Sequence, residues 1–176
     1  MAVKQNGVLA TFTPTVSKYT NELYANAFES SYGYKSIGLR YFNVFGKRQN
    51  PESAYAAVIS RWLNSIINNK QITIYGDGET TRDFTHVDDV VQGILQLLAD
   101  PNSPSVAHFG SGSPRSISSI ADCFDHPIVH SFDRRGEAER TFCQNPYVEP
   151  THNVHEYIKQ WVMENKSDKD GTKNSS

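Results

Sequence analysis

The stretch ITIYGDGETTRDFTHVDDVVQGI, residues 72–94, decides the fold. Its opening ITIY is rich in β-branched and aromatic residues and reads as a short strand. Gly76-Asp77-Gly78 closes that strand as a turn. The apolar period then changes. Val87, Val90, Val91, Ile94, Leu95 and Leu98 recur every three or four residues, which places them on one side of a helix over 87–99.

The same alternation continues outward. Upstream, SIGLRYFNV (36–44) reads as a strand entering a loop, and 54–69 as a helix with Val58, Ile59, Trp62 and Ile66 on one face. Thr13-Pro14 marks a helix start, with Thr as N-cap and Pro in the first turn. That helix runs to Gly33 and carries Leu23, Ala27 and Phe28 as its apolar face. Downstream, 106–110 is a strand, Ser116 caps a short helix through Phe124, 128–132 is an edge strand and 154–164 a last helix. Strands separated by helices predict an α/β fold. The expected organisation is an irregular segment over 1–12, one structured domain over 13–165 and a disordered tail over 166–176, where no residue can anchor a core.

Bulk properties exclude several function classes. The 176 residues suit one domain. Seventeen Lys+Arg against nineteen Asp+Glu leave a net charge of -2, no electrostatic basis for binding nucleic acid or an anionic membrane. Cys123 and Cys143 form neither a disulfide framework nor a CxxC metal pair. No apolar run suits a signal peptide or a membrane helix, so a cytoplasmic location is expected. His126/His130 and His152/His155 have spacings that suit metal, but no carboxylate motif supports them; surface histidines are the favoured reading and no metal is expected.

Five stretches carry a resemblance: SKYTNELYANAF (17–28), GLRYFNVFGKRQNP (38–51), AYAAVISRW (54–62), the opening stretch, and PTHNVHEYI (150–158). In this order they resemble the extended short-chain dehydrogenase/reductase family, in its NAD-dependent epimerase/dehydratase branch, and most of all UDP-N-acetylglucosamine and UDP-glucose 4-epimerases. The resemblance implies a partial Rossmann-like fold: the C-terminal half, with the nucleotide-sugar-binding region. It also implies NAD as cofactor. The family holds the NAD pyrophosphate on a Gly-rich turn of an N-terminal Rossmann half. Neither GxGxxG nor GxxGxxG occurs here, so the chain alone is not expected to bind NAD.

By the same resemblance Lys18 matches the lysine of the family's Tyr-x-x-x-Lys pair, which lowers the tyrosine pKa and grips the nicotinamide ribose. Pro14 stands four residues before it, and TPTVSK resembles the family's Pro-Tyr-Ala-Val-Ser-Lys with the tyrosine lost. Tyr19 points about 100° away around the helix and is a poor substitute. Without its partner, Lys18 is expected to be a solvated helix lysine.

The substrate side is better kept. The resemblance sets Tyr41 beside the nicotinamide and Asn43 on the diphosphate–sugar, although Tyr41 and Phe42 equally suit a buried strand end. Ala54 opens a helix whose small residues let backbone N–H groups approach phosphate, or simply pack. Tyr75 would lie against uracil, or is an ordinary core or surface tyrosine. Arg82 suits a diphosphate through its planar fork of donors. The alternative is an ion pair with Asp83, Asp88 or Asp89, and Asp83 could hold that guanidinium or a backbone turn. Arg134, in Arg-Arg-Gly-Glu, resembles the family's Arg-x-Gly-Asp, and Arg140 a second family arginine; with Glu137 and Glu139 both equally read as a solvated charged face. The segment between Arg140 and Pro150 departs from the family. The implied partners are a UDP-sugar and either a second copy or a complementing Rossmann half. Without that half, GLRYFNV would present an unpaired apolar edge.

Overall fold

A computed structural model describes residues 13–52, 57–132 and 139–171. Helix α1 (Thr13–Tyr32) leads into β1 (Gly38–Tyr41) and β2 (Asn43–Phe45). Then follow α2 (Val58–Ile67), β3 (Ile72–Tyr75), β4 (Thr81–Arg82), β5 (Phe84–His86) and α3 (Val87–Ala99). The chain continues through β6 (Val106–Phe109), β7 (Arg115–Ser116), α4 (Ile117–Ala121) with a 3-10 turn (Asp122–Phe124), β8 (Ile128–Ser131) and α5 (Val154–Gly171). Ser116 caps α4, its hydroxyl accepting from Ser119 N–H.

Among the described residues three strand pairs are parallel: β1 with β6, β2 with β5 and β3 with β8. Each needs a long crossover, and the helices supply it. The fourth pair, β4 with β7, is antiparallel. The expected single strand over 36–44 is in fact two. Phe42 N–H donates to the Phe109 carbonyl and Asn43 N–H to the Asp83 carbonyl, so neighbouring residues bond to different strands and the chain changes sheet between them.

The larger core joins α2, β3, α4 and α5. Ile59, Trp62, Ile72, Ile74, Phe84, Ile120, Phe124 and Ile158 are all buried in it. Trp62 shows why aromatic residues suit this place: Nε1 donates to the Thr73 carbonyl at 3.0 Å while the ring meets Phe124 edge-on at 5.9 Å. A smaller core under α3 contains Val90, Leu97, Ala107 and Phe109. Gly93 makes that packing possible, because a Cβ there would lie 2.3 Å from the Phe109 ring.

Other expectations are corrected. The apolar face of α1 is not covered: Leu23 and Phe28 are 50% and 53% exposed. On α3 only Val90 and Leu97 of the apolar residues are buried, with Gly93 between them, while Val91, Leu95 and Leu98 are exposed. Periodicity counts apolar residues, but packing against Ala107 and Phe109 and their neighbours decides which are covered. Helix α5 runs past the expected end at Glu164 to Gly171, since no Gly or Pro interrupts the intervening residues. The expected helix start at Ala54 lies outside the described residues, and α2 is described from Val58.

Candidate functional site

The site is organised around Asp83, which lies between β4 and β5 and has no solvent exposure. Its Oδ1 accepts from the N–H and hydroxyl of Ser111, both at 2.6 Å; its Oδ2 accepts from Gly112 N–H at 3.0 Å and Cys143 N–H at 2.8 Å. Four donors on an otherwise buried carboxylate satisfy it without a cation. Of the two roles open to Asp83, it holds the backbone turn and not the Arg82 guanidinium. Its own carbonyl accepts from both the backbone N–H and the side-chain amide of Asn43, at 2.9 and 3.0 Å. Gly110 must be glycine, because a Cβ would meet Cys143 Cβ at 2.3 Å. Burial, followed by the charge of Asp83, pushes the Cys143 thiol up to about 11, so it is inert at neutral pH.

Arg82 is partly buried, and its Nη1 donates to the Thr81 carbonyl at 2.9 Å. Across the β4–β7 ribbon it stands opposite Arg115, while Thr81 bridges to Arg140. The Arg140 guanidinium lies 4.9 Å over the Phe142 ring. Two of the three carboxylates considered for Arg82 are engaged elsewhere: Asp83 as above, and Asp89 by Thr151 and His152.

Tyr41 is half-exposed and stacks on Phe109 at 5.7 Å. Phe109 in turn offers its carbonyl to Phe42 N–H, so Tyr41 borders the Asn43–Asp83 group. Tyr75 is half-exposed at the end of β3, in register with Ser131. Lys18 is exposed on α1, and among the described residues no hydrogen bond or ion pair ties it to this group. Ala54 and Arg134 lie outside the described residues.

Sequence reasoning missed a second cluster. His86 caps α3, its Nδ1 accepting from Asp88 N–H at 3.2 Å, and its ring stacks on His152 at 4.2 Å. Burial first, then any charge on His152, pushes the His86 pKa down. Burial also works to raise Asp89, but hydrogen bonds from Thr151 and His152 outweigh it and hold the carboxyl below its ordinary value. His86, Asp88 and His152 offer ligand-type atoms within 4.8 Å of one another. Each imidazole Nδ1 is already engaged, His86 with the Asp88 amide and His152 with Asp89 at 2.8 Å. The cluster therefore works as a joint between α3 and the segment entering α5. The one signal in the sequence was a polar residue directly before a helix, at THVDD. His126 and His130 bond to the carbonyls of Lys70 and Gly76.

With this geometry in hand, comparison with known proteins is decisive. A putative UDP-glucose 4-epimerase of Methanocaldococcus jannaschii is 34% identical over 133 residues, covering 72% of this chain and 43% of that protein. The structure of a UDP-N-acetylglucosamine 4-epimerase from Methanobrevibacter ruminantium, in complex with UDP-N-acetylmuramic acid, superposes with a TM-score of 0.80 at 27% identity; the match covers 96% of this chain and 58% of that one. A Thermotoga maritima UDP-glucose 4-epimerase with UDP-glucose gives a TM-score of 0.72 at 28% identity, over 87% of this chain and 53% of that one. The chain thus spans about half the length of the relatives it matches. The sequence profile of one family matches residues 12–110, more than half of the chain: the protein belongs to the NAD dependent epimerase/dehydratase family.

Proposed function

We propose that this chain provides the UDP-sugar-binding part of a nucleotide-sugar epimerase, and that its residues alone do not perform the proton transfer. One observation carries the reading. Asn43, just past the C-terminal end of the parallel strand β1, donates to the Asp83 carbonyl, and Arg82 directly precedes Asp83; open α/β sheets take their ligands beside such strand ends. The guanidinium of Arg82 suits the diphosphate and Asn43 the sugar side. Tyr75 is the candidate platform for uracil, with Ala54 and Arg134 as the remaining candidate contacts.

The described residues do not fit NAD. The turn that follows β6 is Gly110-Ser111-Gly112, but its N–H groups point at Asp83, and the room above Gly110 is filled by Cys143 and Phe42. A pyrophosphate would have to displace a buried carboxylate. Lys18 has Pro14 where the family's tyrosine would stand. No hydride or proton step is therefore routed through these residues.

Isothermal titration tests the reading. UDP-sugar should bind, and Arg82→Ala should weaken it about tenfold or more, the loss expected for a charge-assisted phosphate contact. NAD should give no heat of binding. Tight stoichiometric NAD binding would overturn the proposal. A second reading rests on the edge of β1, which among the described residues pairs only with β6. A separate Rossmann half could add a parallel strand there. Mixing the chain with such a half and detecting epimerisation would favour it.

A further inference from the structure

The two stacked imidazoles at the start of α3 use the same atom in opposite ways. His86 Nδ1 accepts the Asp88 N–H at 3.2 Å, so that nitrogen carries no proton and the ring is neutral, with its proton on Nε2. His152 Nδ1 faces the buried Asp89 carboxylate at 2.8 Å and therefore donates. The His86 ring is enclosed. Phe45 meets it edge-on at 5.1 Å, Tyr157 lies at 5.5 Å, and His152 covers it at 4.2 Å with 22° between the rings. Its side chain is 7% exposed, against 43% for His152. Several other titratable or charged groups face it. Asp88 and Asp89 stand in the first turn of α3, with the exposed Asp88 carboxylate 3.6 Å from Nδ1. Lys47 and Arg48, which follow β2, line the same cavity of about 400 Å³ as His86, and so do Tyr157 and Glu164 of α5.

We infer that the His86–His152 pair is an acid-sensitive latch: a proton taken up by His86 Nδ1 removes the cap of α3 and drives the two stacked rings apart. The lone pair that accepted the Asp88 N–H is the one the proton occupies, so capping and protonation exclude each other. The charge would also stand at the positive end of a 13-residue helix and against a second imidazole. Burial and any charge on His152 outweigh the opposite pull of Asp88 and Asp89, and hold His86 below its ordinary value near 6.5. A base with a depressed folded pKa stabilises in full above its unfolded value, and that contribution is lost as pH falls through the folded one. The latch is therefore closed at neutral pH and opens in acid. His152, the more exposed ring, is the one that swings out. Thr151 keeps its own bonds to Asp89, and Val154 and Ile158 keep α5 in the core. The change is thus confined to the first turn of α3 and the His152 ring. It requires no nucleotide-sugar and stands whether or not one binds.

The test is an NMR titration of the full chain between about pH 7.5 and about pH 5, the range in which imidazoles change charge. It reads the ring signals of His86 and His152 and the protection of the Asp88 amide relative to its intrinsic exchange rate. His86 should titrate with a midpoint below 6.5. Protection of the Asp88 amide should fall about fivefold or more with that same midpoint, the loss expected for a helix cap, while amides in the middle of α5 do not change. His86→Asn supplies a cap that cannot titrate, and should keep the Asp88 amide protected throughout. His152→Gln removes the facing imidazole and should raise the His86 midpoint. Circular dichroism checks that both variants fold as the wild type does. Asp88 protection that is the same at both ends of the range would overturn the inference, as would a pH response that persists in His86→Asn. If His86→Asn does not fold, the ring signals decide: a wild-type His86 midpoint at or above 6.5, or one that His152→Gln leaves in place, overturns it.

Discussion

Helices α1 and α5 lie near the two ends of the described chain and are of similar length, yet they are held in opposite ways. Over its first three turns α5 buries Val154 and Ile158 in the larger core, and Tyr157 meets Phe45 edge-on at 5.2 Å. Over residues 18–32, the described side chains of α1, no apolar residue is fully covered. Tyr19, Leu23, Tyr24, Phe28 and Tyr32 are all at least half exposed, and the named tie to the sheet is a bidentate pair between Glu22 and Arg40, at 2.6 and 2.8 Å. Arg40 also contacts His108 Nε2 at 3.3 Å. One end of the molecule is held by shape and water exclusion, the other by a charge pair. The first is insensitive to pH and salt; the second is sensitive to both.

Substitutions can break or sharpen this contrast. The largest effect is expected for Trp62→Ala in the larger core, a loss of about 4 kcal/mol in denaturant unfolding from lost burial and the cavity left behind. Asp83→Asn should cost about 3 kcal/mol, because an amide cannot accept from all four donors and turns its own N–H toward some of them. Asp83→Asn should also weaken UDP binding, since the backbone that holds Asn43 passes through this residue.

The third test concerns the α1 tie. Hydrogen bonding and the charge of Arg40 hold the Glu22 carboxyl below its ordinary value near 4.5, against the opposing effect of burial. A carboxyl with a depressed folded pKa stabilises fully above its unfolded pKa, and that contribution is lost as pH falls through the folded value. Amide exchange in α1 should therefore accelerate below about pH 4.5, while α5 stays protected. Glu22→Gln should show fast α1 exchange already at neutral pH and no further pH response. A pH-independent α1 in the wild type would show that something besides the ion pair holds it. The smallest effect is expected for Phe28→Ala, under about 0.5 kcal/mol, because its ring is already half in water. A loss of 2 kcal/mol there would reveal a contact made by α1 in solution.

Much of the fold was legible. The bounds of β3 and α3, the Ser116 cap and the exposed edge strand at β8 follow from local chemistry: β-branched runs, helical spacing, a hydroxyl before a helix. The break between Tyr41 and Asn43 was not legible, because nothing in YFN states which carbonyl each N–H will find. Asp83 left two roles open in the sequence, since a carboxylate beside an arginine looks like half of an ion pair. The structure gives it to Ser111, Gly112 and Cys143, distant residues whose amides no local pattern could assign. His86 was passed over for the same reason: its importance comes from His152, a partner far along the chain.

The sequence by itself determined the family and the places where helices and strands form, because those depend on residues a few positions apart. It also determined that Pro14 stands four residues before Lys18. The tertiary structure alone decided which faces are covered, that Asp83 closes the Gly110–Gly112 turn, and that Arg82 meets Arg115 across a two-residue ribbon. Those depend on which distant backbone donors and charges share a volume, and spacing along a chain does not encode that.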